Sequence, residues 1–217
     1  MSLTAEQLRR SLDALAKVER AFAARIEAIG YPEPRIRARG YQTLLRTIVG
    51  QQVSVAAASS IWAKLERLVG AGLAPEAVAA APDDLLRQCG LSRQKVGYAR
   101  SLAEHVASGD IDFDALPADD EEAIARMTAI KGIGRWSAEI YLLFAEGRGD
   151  MWPAGDLVVR IEVGNLLGLP ERPSERETRR LSQPWSPHRG AATLFAWHSY
   201  ARRAAASKPA KVEKAPL

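Results

Sequence analysis

The sequence predicts an all-α protein, and two observations support this class. Apolar residues recur three and four positions apart through most of the chain, which is the periodicity of amphipathic helices. The strict apolar–polar alternation that marks half-buried strands is absent from the sequence. Hydrophobic residues make up 47% of the 217 residues, so such helices can enclose a substantial core.

The first helix is expected over residues 5–29. Thr4 and Gln7 form a capping box at its start, with the threonine as the N-cap and the glutamine three residues later. Gly30 ends the helix. The following stretch, YPEPRIRARG, contains two prolines and a basic run, and we expect it to be a linker.

Nine further helices are expected along the chain. A long alanine-rich helix comes first, shorter helices follow it, and loops rich in turn residues separate them. The expected ranges are 41–69, 74–81, 83–89, 93–107, 119–129, 135–146, 157–167, 174–182 and 188–204. The last stretch, residues 205–217, is small, basic and proline-containing, which is typical of a disordered tail.

Charge and cysteine content limit the classes of function. The formal net charge of +4 permits a polyanionic partner without requiring one. Cys89 is the only cysteine and the three histidines are scattered, so we expect no intramolecular disulfide, no metal site and no cofactor. The sequence has no apolar run of membrane-spanning length and no signal-peptide pattern, so we expect no membrane partner and a cytoplasmic location, at the nucleoid if the source is bacterial.

A glycine hairpin joins the two helices expected on either side of residue 132. Gly132 and Gly134 allow the backbone to turn tightly and to approach a ligand closely. The free N–H groups at the start of the next helix suit a phosphate, and Lys131, Arg135 and Ser137 would add contacts that do not depend on base sequence. Alternatively, the segment is an ordinary turn between helices in which the glycines serve only the backbone.

A single acid, Asp156, follows the loop WPAG and stands immediately before the helix expected over 157–167. An aspartate at this position is most often an N-cap. The same position would also suit a reactive carboxylate, because the positive end of the helix favours the ionised acid.

Four segments between about residues 40 and 200 resemble a known family. IKGIGRWSAEIYLLFA resembles the helix-hairpin-helix motif of the helix-hairpin-helix-GPD superfamily of DNA repair glycosylases, and WPAGD is similar to its glycine/proline-rich loop and aspartate. LLRTIVGQQVSVAAASSIWAKL, CGLSRQKVGYARSLA and PWSPHRGAATLFAW are similar to the alkylation-repair branch, the 3-methyladenine DNA glycosylase II type.

The resemblance implies two helical lobes of the helix-hairpin-helix DNA glycosylase fold. The central lobe would comprise residues 31–148 and carry the hairpin. Residues 1–30 and 149–204 would form the second lobe, followed by the tail at 205–217. Some members of the branch carry an N-terminal β domain, which we do not expect in this chain.

The resemblance also implies the chemistry. Asp156 would be the catalytic residue, stabilising the positive charge that builds on the sugar as an N-glycosidic bond breaks and aligning the attacking water. Bifunctional members carry a lysine two residues after the second hairpin glycine, where this chain has Trp136. An indole cannot form a Schiff base, so the implied enzyme is monofunctional and leaves an abasic site.

A base pocket and a wedge are implied in the same way. Trp136 and Trp197 would line the pocket, where their aromatic faces suit a cationic alkylated purine, although each could instead be a core residue. Ile140 stands where a relative with a broad lesion range has an aromatic residue, which leaves the choice of substrate open. Gln52 would be the wedge that fills the gap left by a flipped base; the alternative is a buried glutamine inside a helix.

The implied function is release of alkylated purines from duplex DNA in base excision repair, by an enzyme that acts as a monomer. Two alternatives stay open on the sequence. One is a glycosylase of the same superfamily for other damaged or mismatched bases, and the other is a non-catalytic lesion-binding protein with a helix-hairpin-helix motif.

Overall fold

The computed structural model describes residues 3–206, which contain twelve α-helices and no strand. The predicted all-α class is therefore confirmed. The helices are Ala5–Val18 (α1), Arg20–Ile29 (α2), Tyr41–Gly50 (α3), Val55–Leu68 (α4), Pro75–Ala80 (α5), Asp83–Gln88 (α6), Arg93–Ala107 (α7), Asp120–Thr128 (α8), Arg135–Tyr141 (α9), Leu157–Leu166 (α10), Glu175–Leu181 (α11) and Arg189–Ala206 (α12). A π-helical turn, Leu142–Glu146, continues α9, and a 3₁₀ turn, Gln183–Trp185, precedes α12.

Two helices occupy the range 5–29, where the sequence predicts one. That prediction is wrong because it misses the break at Glu19. The capping box of Thr4 and Gln7 is present at the start of α1. Glu19 adopts an extended conformation, with φ −133° and ψ 109°, and ends α1. Its carboxylate then accepts a hydrogen bond from the Ala21 N–H (3.2 Å) and caps α2.

The long helix expected over 41–69 is also interrupted. Residues 51–54 form a turn between α3 and α4. Ser54 caps α4 by accepting a hydrogen bond from the Ala57 N–H (3.2 Å). Gln52 has φ +55°, in the left-handed region, so the helical ladder cannot pass through it.

The chain divides into two compact units. One is the continuous segment Ile36–Gly147, and the other combines the residues through Arg35 with those from Arg148 onward. The expected disordered tail lies outside the described residues except for residues 205 and 206, which are the last two residues of α12.

The unit Ile36–Gly147 is organised around α7. This helix packs against α3, α5 and α6, while α4 packs on α3 and α8 on α9. Its core includes side chains that are fully or almost fully buried, among them Leu44, Leu45, Ile48, Leu65, Leu86, Leu102, Met127 and Phe144. The hydrophobic effect of this burial holds the hairpin between α8 and α9 against a fixed support.

The other unit has an aromatic core beneath α12. The Phe22 ring packs edge-on against Trp185 (5.1 Å between centroids) and obliquely against Phe195 (5.7 Å). Trp152 meets Trp185 at 5.6 Å in a second edge-to-face contact. Such aromatic pairs add to the hydrophobic gain of burial. They attach the loop that precedes α10 to the same core that carries α12.

Candidate active site

The hairpin between α8 and α9 needs a glycine at position 132 for two reasons. Gly132 has φ +86°, and a Cβ built there would lie 2.3 Å from Cγ of Tyr98. Side-chain hydrogen bonds anchor the turn on both sides: the Lys131 N–H donates to Oγ of Ser101 (3.1 Å), and Nε2 of Gln51 donates to the Gly132 carbonyl (3.3 Å). The turn is therefore held rigidly by α7 and by the segment that precedes α4.

Gly134 differs from Gly132, because nothing inside the protein requires a glycine there. Its backbone is extended, with φ −86° and ψ 169°, a conformation that other residues adopt readily. Apart from the glycine and its two chain neighbours, no described residue has an atom within 4 Å of a Cβ built at this position. The missing side chain leaves open space at the start of α9, where a ligand can approach the backbone closely.

Two acidic residues hold the guanidinium of Arg135, which we expected to contact phosphate. Its terminal nitrogens donate to both carboxylate oxygens of Glu121 (2.5 and 2.8 Å), and its Nε donates to Glu139 (3.0 Å). Hydrogen bonds to Glu121 raise the pKa of Arg135 most strongly, with a further contribution from Glu139. The ion pairs of Arg135 thus link α8 to α9. Lys131 is exposed, and its positive charge lies at the hairpin itself.

A cavity of about 920 Å³ opens within the unit Ile36–Gly147, between α3, α9 and the segment before α3. Three of the residues singled out in the sequence line it: Trp136, Ser137 and Ile140. Trp136 is 45% exposed, so much of its indole is accessible. Ile140 is only 6% exposed and can offer little of its surface to a ligand.

The turn at 51–54 presents Gln52 at the surface. The residue is exposed and strained by its positive φ of 55°, so the alternative of a buried glutamine inside a helix is wrong. Val53 and Val55 beside it are 39% and 85% exposed. Strain of this kind persists where the surrounding structure imposes it, and it is often found at functional positions.

Asp156 lies in the other unit, at the start of α10. Its Oδ1 accepts a hydrogen bond from the Val159 N–H (2.9 Å), so the residue does cap the helix. The same oxygen accepts a second hydrogen bond from Nε1 of Trp197 on α12 (3.3 Å). Two donors from two helices hold the carboxylate in one orientation, and the partly exposed side chain remains accessible.

The contact with Trp197 was not foreseen from the sequence, and it continues to a third residue. The guanidinium carbon of Arg35 lies 5.3 Å from the centroid of the Trp197 ring. This distance is within the range of a cation–π interaction. Arg35, Trp197 and Asp156 thus form a continuous set of a cation, an indole and a carboxylate within one unit.

An ion pair fastens the loop that carries Asp156 to the start of α12. Asp150 accepts hydrogen bonds from Nε (2.9 Å), Nη2 (2.6 Å) and the backbone N–H (3.2 Å) of Arg189 and from Oγ of Ser186 (2.8 Å). Burial acts to raise the pKa of Asp150, but these hydrogen bonds hold it below its ordinary value. The ion pair therefore helps to fix the loop against the helix that carries Trp197.

Among residues 3–206, no group of three or more histidine, cysteine, aspartate or glutamate side chains is arranged to hold a metal ion. None of the helices in that range combines the length and the apolar character that a membrane span requires.

Comparison with protein families identifies the relationship. The family model described as "HhH-GPD superfamily base excision DNA repair protein" matches residues 45–187, which is more than half of the chain. The chain belongs to the HhH-GPD superfamily. The matched range includes the hairpin, the turn at 51–54 and the loop ending in Asp156, so the resemblance on which the sequence predictions rest is confirmed.

Individual relatives in the HhH-GPD superfamily agree with this membership. DNA-3-methyladenine glycosylase 1 of Schizosaccharomyces pombe is 33% identical over 178 residues, covering 80% of this chain and 78% of that protein. DNA-3-methyladenine glycosylase 2 of Escherichia coli is 25% identical over 210 residues, covering 86% of this chain and 72% of that protein.

Solved structures give the same result for the fold. A DNA-3-methyladenine glycosidase of Bacillus halodurans superposes with a TM-score of 0.78 at 33% identity, covering 94% of each chain. The 3-methyladenine DNA glycosylase of Schizosaccharomyces pombe, solved in complex with abasic DNA, superposes with a TM-score of 0.72 at 29% identity, covering 94% of this chain and all of that one.

Proposed function

We propose that this HhH-GPD protein is a monofunctional DNA glycosylase that hydrolyses the N-glycosidic bond of alkylated purines, of the 3-methyladenine type, in duplex DNA. The abasic site that it leaves would enter base excision repair. The observation that carries the proposal is the Asp156 carboxylate, held by two donors from two helices at the position of the family's aspartate. The names of the relatives support the same activity.

The chemistry follows from the carboxylate. As the bond between C1′ and the base nitrogen breaks, its electron pair leaves with the base and positive charge develops on the deoxyribose. The ionised Asp156 stabilises this charge and accepts a proton from the water that attacks C1′. An alkylated purine that is already cationic leaves as a neutral base, so no separate general acid is needed.

The monofunctional outcome rests on the residue at position 136. A lyase needs an amine nucleophile beside the sugar to form a Schiff base with C1′. This chain offers the indole of Trp136, which has no nucleophilic amine. Water would therefore be the nucleophile, and the strand would stay uncut after the base has left.

The lesion would be recognised in part by a tryptophan of the unit that carries Asp156. A flipped purine loses its stacking and hydrogen bonds in the duplex, which costs on the order of a few kcal/mol. Stacking on the partly exposed indole of Trp197, which lies in the same unit as Asp156, offsets part of this cost, and a cationic purine gains further from cation–π attraction. Ile140 is aliphatic and almost fully buried, so it offers no aromatic surface for stacking. We therefore expect a narrower lesion range than in a relative with an aromatic residue at that position.

DNA would be bound through its backbone and its minor groove. The open space at Gly134 admits a phosphate to the backbone N–H groups that begin α9, and the exposed Lys131 adds a positive charge. The exposed Gln52 would take the place of the flipped base and could hydrogen-bond the widowed partner. We further propose that the protein acts as a monomer and in the cytoplasm.

The test is base release from a panel of lesion-bearing duplexes. Duplexes carrying 3-methyladenine, 7-methylguanine, hypoxanthine, 8-oxoguanine or a T·G mismatch are incubated with the protein, and free base and strand cleavage are measured separately. We expect release of the methylated purines, with strand breaks only after alkali treatment. Release of oxidised or mismatched bases alone would refute the alkylpurine specificity, and release of no base at all would refute a glycosylase.

A further inference from the structure

Arg35 occupies a position that the proposed reaction does not explain. It is an exposed residue that ends the first of the two segments of its unit, and its guanidinium carbon lies 5.3 Å from the centroid of the Trp197 indole. The same indole donates its Nε1–H to Asp156. The indole that donates a hydrogen bond to the proposed catalytic carboxylate is therefore already in contact with a cation.

A cation on an indole influences how the ring binds a second cation. The face of a tryptophan attracts positive charge because its π-electrons are concentrated there. A flipped base that stacks on the face occupied by Arg35 must displace the guanidinium. A base that stacks on the opposite face shares the ring with it, and the two positive charges repel each other across the indole. Both arrangements weaken the binding of a cationic base.

A neutral base does not meet this repulsion. It stacks through dispersion and through its own quadrupole, and these interactions depend little on a nearby positive charge. The effect of Arg35 should thus depend on the charge of the base and not on its size. A residue with this property adjusts specificity and leaves the chemical step at Asp156 in place.

We propose that Arg35, through its contact with Trp197, is a specificity-determining residue that disfavours positively charged bases in the pocket relative to uncharged ligands. This rests on the proposed function, since it assumes that Trp197 faces the flipped nucleotide. The positive charge persists from the bound cationic base to the transition state, where it passes to the sugar, so the effect appears mainly in KM and in kcat/KM.

The experiment compares three variants with the wild type. Arg35→Gln removes the charge and keeps a planar polar group, whereas Arg35→Lys keeps the charge. Arg9→Gln is the matched control, because Arg9 is also exposed, lies in the same unit and forms a similar contact with the ring of Tyr31 (4.6 Å to the centroid). Each protein is tested for kcat/KM on a duplex with 7-methylguanine, a cationic base, and for affinity to the same duplex with an uncharged abasic analogue.

The quantity compared is the ratio of kcat/KM for the 7-methylguanine duplex to the association constant for the abasic duplex. A general loss of DNA affinity lowers both values and therefore cancels in this ratio. We expect Arg35→Gln to raise this ratio about threefold, as the size of a partly exposed cation–π interaction indicates. The ratio should stay at the wild-type value in Arg35→Lys and Arg9→Gln. An unchanged ratio in Arg35→Gln, or an equal rise in Arg9→Gln or Arg35→Lys, would refute the specificity role of Arg35. The proposed glycosylase activity would not be affected by that result. A wild-type protein that binds the abasic duplex but releases no base would instead refute the proposed glycosylase.

Discussion

Replacing Trp197 by phenylalanine separates two roles that the structure gives to one side chain. Phenylalanine keeps an aromatic face for stacking but has no N–H group. The substitution therefore deletes the hydrogen bond from Nε1 of Trp197 to Oδ1 of Asp156 (3.3 Å). The second donor, the Val159 N–H at 2.9 Å, remains. The carboxylate stays at the start of α10 but loses the contact that aligns it with α12.

The magnitude follows from the strength of that hydrogen bond. A hydrogen bond to a charged group contributes about 1.5–3 kcal/mol. At 3.3 Å the contact is longer than the usual N–H···O distance, so the lower end of that range applies. If this contribution is lost mainly from the transition state, release of the base slows about tenfold, since about 1.4 kcal/mol corresponds to a factor of ten in rate.

The assay is single-turnover release of 7-methylguanine with enzyme in excess, because this condition measures the chemical step without binding or product release. The matched control is Trp62→Phe, in which the indole nitrogen that is removed has no hydrogen-bond partner among the described residues. We expect a tenfold slower step in Trp197→Phe and an unchanged one in Trp62→Phe. A Trp197→Phe enzyme as fast as the wild type would show that the contact does not position Asp156.

Three substitutions test the support of the site. Gly132→Ala forces a Cβ to within 2.3 Å of the Tyr98 ring at φ +86°, and we expect it to lower the free energy of unfolding by about 1–3 kcal/mol in thermal melts. Gly134→Ala meets no described atom within 4 Å, so its melting temperature should equal that of the wild type while fluorescence anisotropy shows weaker DNA binding; equal affinity would contradict the proposed phosphate approach. Asp150→Asn removes the acid that pairs with Arg189, and we expect it to lower the free energy of unfolding by about 1–3 kcal/mol at pH 7. The folded state depresses the pKa of Asp150 from its ordinary value of 3.8, so the stabilisation is present above that value and is lost as the pH falls below it. Melts at decreasing pH should show wild type and variant converging, and a constant difference would refute this origin.

The sequence predicted helix starts better than helix interruptions. Thr4 has a capping partner three residues away, and this local signal located the start of α1 correctly. Glu19 is an unusual N-cap, and no glycine or proline accompanies it, so the break between α1 and α2 carried no recognisable signal. The turn at Gln52 was missed for a different reason. It depends partly on Gln51, whose side chain binds the Gly132 carbonyl 81 residues away, and periodicity cannot report such a contact.

In the candidate site too, contacts between residues distant in the sequence were not predicted. The position of Asp156 before a helix was readable from the sequence, and the family resemblance indicated its role. Its hydrogen bond with Trp197 joins residues 41 positions apart, and the contact of Trp197 with Arg35 spans most of the chain. Contacts of this kind depend on tertiary packing. The charge of Arg135 beside the hairpin suggested a phosphate contact, whereas its carboxylate partners in the structure become apparent only once α8 and α9 are placed together.

The most direct measurement compares two aspartates that cap helices. Asp119 caps α8 by accepting a hydrogen bond from the Glu122 N–H, as Asp156 caps α10. Asparagine preserves an N-cap at either position, so both variants should fold and bind a duplex with an abasic analogue as the wild type does. In single-turnover assays on methylated DNA, Asp156→Asn should release no detectable base, while Asp119→Asn should match the wild type. Base release by Asp156→Asn at the wild-type rate would contradict the assignment of the chemistry to this carboxylate.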